Sequence, residues 1–92
     1  MKKTVVWRSF IIYTENRMPK TGEIYRHYKN HQCYQVIAVA KDTESLEDMV
    51  VYRALYESRD LPYGQVWCRP LKMWLEKIGE KPRFEKIESG AQ

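Results

Sequence analysis

Val50-Val51-Tyr52-Arg53-Ala54-Leu55-Tyr56 is the run on which the fold turns. Residues i and i+2 of a strand share a face, so the run sets Val50, Tyr52 and Ala54 on one side and Val51, Arg53 and Leu55 on the other. A guanidinium is hard to bury, which directs the first set inward and Arg53 outward. The same mixture of rings, aliphatic side chains and charges recurs before it, in Ile24-Tyr25-Arg26-His27-Tyr28-Lys29. It recurs again after it, in Val66-Trp67-Cys68-Arg69-Pro70-Leu71. Three such runs describe a small sheet with one apolar face and a surface rich in rings and cations.

The punctuation between the runs supplies the rest of the outline. Pro19-Lys20-Thr21-Gly22 signals a turn, and a first strand is predicted over 23–28. Lys29-Asn30-His31-Gln32 reads as a hairpin connection, with Asn30 the residue suited to a left-handed conformation. Residues 34–40 are apolar at nearly every position and mark a central strand. The acidic connection 41–48 follows, in which Thr43 or Ser45 is placed to cap a helical turn. In the same connection Glu44 and Glu47 are available to pair with Arg26, Arg53 or Arg69. The third strand is predicted over 49–56, a long loop with Pro62 and Gly64 over 57–65, and a fourth strand over 65–69.

Pro70 stops a paired central strand but suits the first turn of a helix, where its missing N–H has no helical partner. Leu71, Trp74, Leu75 and Ile78 recur at helical spacing, which predicts a helical turn or two over 71–78. Gly79-Glu80-Lys81-Pro82 ends it, and a last strand over 83–87 sets Phe84 on the face opposite Arg83, Glu85 and Ile87. Residues 89–92 read as a frayed tail. The expected fold is mostly β: a small five-stranded SH3-like barrel over 18–88, with a short helical turn before the last strand.

Ninety-two residues make one domain with one modest core. No stretch approaches the ~20 apolar residues of a membrane span. The formal charge of +4 is uneven. Residues 1–17 carry Lys2, Lys3, Arg8 and Arg17 against Glu15. The remaining 75 residues hold twelve basic and eleven acidic side chains, which weakens a nucleic-acid argument from net charge. Within 1–17, Arg8 breaks the apolar run that a secretory signal needs. That segment reads either as an extension packing through Trp7, Phe10, Ile11 and Ile12, or as sequence ahead of a true start at Met18. Two cysteines, Cys33 and Cys68, are too few for a disulfide scaffold, so a reducing, cytoplasmic setting is expected. His27, His31, Cys33 and Cys68 lack any knuckle spacing for zinc, and neither a metal nor a cofactor is expected.

No phosphate-cradling glycine loop, nucleophile elbow or triad order is present, and the chain reads as a binding module rather than an enzyme. The candidate binding residues are Tyr28, Arg53, Tyr56, Trp67, Arg69 and Trp74, rings and cations carried on or beside the strand runs. They suit an unknown protein or peptide partner gripped by aromatic rings. The alternative is nucleic acid, with Arg26, Lys29, Arg53 and Arg69 on phosphates and rings stacked on bases.

The blocks 22–29, 45–56, 66–71 and Pro82-Arg83-Phe84 are similar to those of a small family of bacterial proteins, classed only as a domain of unknown function with an SH3-like fold. The resemblance spans roughly residues 20–88. It implies that fold and favours Met18 as the start, because members usually begin just before the Gly22 block. Where members often carry Gly after the Tyr-Lys pair, this chain has Asn30 and His31, and Cys68 stands where Val is common before Arg-Pro. The resemblance implies no activity.

Overall fold

The computed structural model describes residues 18–88; the expectations for residues 1–17 and 89–92 lie outside them. Four strands form a meander: β1 (Ile24–His27), β2 (Cys33–Lys41), β3 (Asp48–Ala54) and β4 (Val66–Pro70). A single helical turn, α1 (Leu71–Trp74), follows, then a two-residue hairpin of β5 (Lys77–Ile78) and β6 (Lys81–Pro82). The last strand, β7 (Phe84–Glu88), returns beside β1. The five-stranded antiparallel sheet has the order β4-β3-β2-β1-β7, and residues 34–40 lie in its middle strand as their apolar run predicts.

The alternation read in the run 50–56 holds in three dimensions. Val50, Tyr52 and Ala54 are buried and Arg53 is exposed. Their face carries a core of Tyr25, Tyr34, Val36, Val50, Tyr52, Ala54, Trp74 and Phe84. Five of those eight are aromatic, and they meet largely edge to face: Tyr52 and Trp74 lie 4.9 Å apart, Tyr34 and Tyr52 5.4 Å, Tyr25 and Trp74 5.1 Å. Each buried tyrosine finds a partner for its hydroxyl. Tyr25 donates to Glu23 at 2.8 Å, Tyr34 shares a 2.6 Å bond with the Tyr56 hydroxyl, and Tyr52 accepts from Arg69 Nε at 3.3 Å. Hydrogen bonds of this kind let phenols sit in a core without leaving a polar group unpaired.

Three expectations need correction. The sheet is not closed into a hydrogen-bonded barrel: β4 and β7 are its two edges. Side chains bridge them instead. Trp74 from α1 stacks flat on Phe84 of β7 with centroids 3.8 Å apart, and the Arg69 guanidinium of β4 lies 5.4 Å from the same ring. The predicted helix of 71–78 stops after Trp74. Arg83 satisfies its end by donating from Nε to the Met73 carbonyl at 3.1 Å while pairing with Glu76, and Gly79 at φ 67° then turns the chain into the β5–β6 hairpin. The acidic connection forms no helix and reaches no arginine. Asp42 accepts from the Glu44 and Ser45 N–H groups, Glu47 meets Lys72 at 3.5 Å, and Asp48 meets Lys41 at 2.9 Å.

Two smaller features shape the site end. In the β1–β2 turn it is His31, at φ 60°, that takes the left-handed conformation expected of Asn30. Asn30 uses its side chain instead, accepting from the Gln32 N–H at 2.8 Å and donating to the Tyr34 hydroxyl at 3.2 Å. In β2 a bulge between Val36 and Ala38 ends the strict alternation. Val36 is buried, whereas Val39 beyond the bulge is exposed.

Candidate functional site

Strand geometry brings Tyr52 of β3 opposite Trp67 of β4, and Arg69 lies two residues further along the same face. Phe84 pairs with His27 at the other edge. The curl of the sheet therefore gathers His27, Asn30, Tyr34, Tyr52, Trp67, Arg69 and Phe84 around a cleft of about 240 Å³. Its floor is the rim of the aromatic core, formed by Tyr34, Tyr52 and Phe84. Trp67 is its exposed wall, at 41% exposure.

Arg69 is the chemically distinctive group. It rests over Phe84 and donates Nε to Tyr52, which ties its guanidinium into the cleft. Arg26, Lys41, Lys72, Arg83 and Lys86 each pair with a carboxylate, and Arg69 does not. No carboxylate lines the cleft. A half-buried, oriented arginine without a counter-ion is a fork that suits an incoming carboxylate or phosphate.

His27 stands at the boundary of this cleft. Its ring is edge-on to Phe84 at 4.9 Å, and Nδ1 accepts from the Lys29 N–H at 3.1 Å, which places the neutral ring's proton on Nε2. Burial, then the charges of Arg69, Arg83 and Lys29, lower its pKa and keep it neutral near pH 7. On its other side a second pocket of about 350 Å³ is lined by Arg26, His27, Tyr28, His31, Lys81, Pro82 and Glu85. The two hollows share the imidazole.

The sequence-derived residues separate accordingly. Trp67 and Arg69 meet in the cleft, and Tyr28 lines the neighbouring pocket. Tyr56 sits behind the cleft, hydrogen-bonded to Tyr34; burial, then that bond, pushes its pKa up to about 12. Arg53 pairs with Gln35 and Val66 on the reverse face of the sheet, remote from these rings. Trp74, at 2% exposure, is core. Reading the rings one by one missed His27, Asn30, Tyr34, Tyr52 and Phe84 as cleft residues. The signal for His27 was present, since it shares a strand face with inward Tyr25, whereas nothing local announces that β7 brings Phe84 to β4. Among the described residues no group of three or more His, Cys, Asp or Glu is gathered to hold a metal, and no helix is long and apolar enough to cross a membrane.

The fold and the cleft define a small, mostly β domain with a curled antiparallel sheet and a ring-lined hollow at one end. The family described as "Protein of unknown function (DUF1653)" matches residues 23–86, more than half of the chain, and the chain belongs to it. That description assigns no activity. No curated protein and no solved structure matches the chain.

Proposed function

We propose that the chain is an SH3-like recognition module, its barrel left open between β4 and β7, that binds a protein or peptide segment in the Trp67–Arg69 cleft. The strand order supports the SH3-like assignment: a four-strand meander, a helical turn, and a final strand returning beside the first. The observation that carries the binding reading is Arg69, oriented among rings with no counter-ion. A partner fits that places an apolar or aromatic side chain against Trp67 and an acidic group on the Arg69 fork.

The edge of β4 adds a backbone contribution. The Ala54 N–H donates to the Gln65 carbonyl at 2.9 Å, so residues 65, 67 and 69 face β3 with their hydrogen-bonding groups. By alternation, Cys68 turns its N–H and C=O away from the sheet, where an extended peptide can pair. The exposed side chains of Leu61, Tyr63, Val66 and Trp67 lie on this edge and the loop leading into it. Binding rather than catalysis is the reading, because the cleft offers stacking, a cation and a neutral imidazole but no nucleophile beside a base. A reducing cytoplasm suits the two free thiols, Cys33 and Cys68, and cell fractionation checks that placement.

Panning a random peptide library on the full chain tests the module. Bound sequences rich in acidic residues beside large apolar ones are expected, with capture lost in Trp67→Ala and Arg69→Gln although both variants remain folded by circular dichroism. No enrichment, or enrichment indifferent to both substitutions, overturns it. The basic pocket next to the cleft favours a second reading, single-stranded nucleic acid. Titration with a mixed oligonucleotide decides that one, through an affinity that falls steeply with salt.

A further inference from the structure

The pocket on the far side of His27 has a charge pattern that the cleft does not use. Arg26, Lys81, His31 and Tyr28 converge on it, with Glu85 as its one carboxylate. Lys81 has no ion pair or hydrogen bond through its side chain among the described residues, and neither do the His31 imidazole and the Tyr28 hydroxyl. His31 is held in place by its backbone: its N–H donates to the His27 carbonyl at 2.9 Å, and its φ of 60° fixes the turn. Arg26 is engaged, but only through an exposed contact with Glu85 at 3.4 Å. Exposed pairs of that length contribute little and yield readily to a better anion.

We propose that this pocket receives a phosphate monoester, carried on a side chain of the peptide whose neighbouring residue enters the Trp67–Arg69 cleft. The peptide part rests on the reading above; the phosphate part stands on the pocket. A monoester concentrates about −1.5 to −2 charges on one group with three acceptor oxygens. Two full cations, an imidazole and a phenol around one hollow match that concentration. Nucleic acid spreads single charges along a strand and calls for a stripe of cations, while residues 18–88 and the tail together carry a net charge of only +1. The acidic connection 42–47 lies beyond the opposite end of β2, so its carboxylates do not oppose an anion here.

The test is an amide NMR titration of the full chain with inorganic phosphate at constant ionic strength, chloride making the balance, then with phosphotyrosine and with a mixed single-stranded oligonucleotide. Shifts confined to Arg26, Tyr28, His31 and residues 81–85 are expected by ~10 mM phosphate. Lys81→Ala should weaken phosphate about tenfold. Glu85→Gln should strengthen it about two- to fivefold by removing the competing carboxylate, an effect no structural role of Glu85 produces. Trp67→Ala should leave phosphate binding unchanged, which keeps the pocket separable from the cleft. Silence, or equal shifts at Lys41 and Lys72, overturns the site. An oligonucleotide that binds more tightly than phosphotyrosine, with shifts running over Lys29 and Arg69, overturns the monoester in favour of nucleic acid. Phosphate binding with no peptide selected by panning retains the pocket and discards the peptide reading.

Discussion

Trp67 and Trp74 stand seven residues apart, near the start of β4 and at the end of α1, and their fates differ completely. Trp74 is carried across the open side of the curled sheet and is touched by Tyr25 of β1, Tyr52 of β3 and Phe84 of β7. Trp67 lies opposite Tyr52 on an edge strand, with no further strand beyond it to cover the ring. One ring fastens two edges that backbone hydrogen bonds leave apart. The other remains available to a ligand. Whether an aromatic residue in a small β domain is core or contact surface is thus set by the number of strands that reach it, and position in the chain says little about that number.

Truncating the two rings separates these roles by the widest margin. Trp74→Ala should cost about 3–5 kcal/mol in urea denaturation, because it opens a cavity between three strands. Trp67→Ala should stay within about 1 kcal/mol and lose ligand capture instead. Equal losses of stability would erase the distinction between the two rings.

Glu23 sharpens the contrast from the core side, since Trp74's neighbour Tyr25 donates to it. Burial, the largest single influence, raises its pKa, but the Lys20 N–H, the Tyr25 hydroxyl and Lys86 together outweigh burial and hold it below 4.5. Glu23→Gln should cost about 1–3 kcal/mol. With a folded pKa below the unfolded one, Glu23 contributes stability above pH 4.5 that is lost as pH falls through its lowered value. Stability measured between pH 6 and pH 3 in wild type and variant checks the slope.

The tyrosine pair behind the cleft should show a smaller effect. Tyr56→Phe breaks the bond to Tyr34 and should cost about 1 kcal/mol. Tyr56 ionises at about 12 in the folded chain against an ordinary 10.0, so its contribution is complete below pH 10 and is lost as pH rises toward 12. Ultraviolet tyrosinate titration should show a phenol ionising at about 12 in the wild type that the variant loses. The smallest effect falls on His27. Its lowered pKa disfavours protonation in the folded chain, so stability is complete above pH 6.5 and declines as pH falls through that value. Imidazole carbon-bound proton shifts should report a lower midpoint for His27 than for a His in the denatured chain. An unshifted midpoint would detach His27 both from its burial and from the positive field of Arg69, Arg83 and Lys29.

Much of the sheet was legible because strand alternation is local. Arg53 alone oriented β3, and Phe84 was set on its own face of β7 by the same period. Pro70 correctly marked the end of β4, since an edge strand tolerates it where a central strand does not. The helical spacing of Leu71, Trp74, Leu75 and Ile78 misled beyond one turn, because Arg83 and Gly79, both outside that window, decide where α1 stops. Two of the seven residues around the cleft, Trp67 and Arg69, were visible together on one strand face. Arg53 and Trp74 belonged with them by residue type, but the reverse face of the sheet and the core claimed them.

The sequence by itself determined the strands, their inward faces, the central place of residues 34–40 and the pairing of Trp67 with Arg69 on one face, because each depends on a period of two or on a turn residue. Only the tertiary structure decided that β4 and β7 remain edges, that Trp74 bridges them, that His31 rather than Asn30 turns the hairpin, and that Arg69 is left without a counter-ion. Those outcomes depend on which distant segments share space. A carboxylate or a ring finds its partner through the topology, and no local pattern encodes that distance.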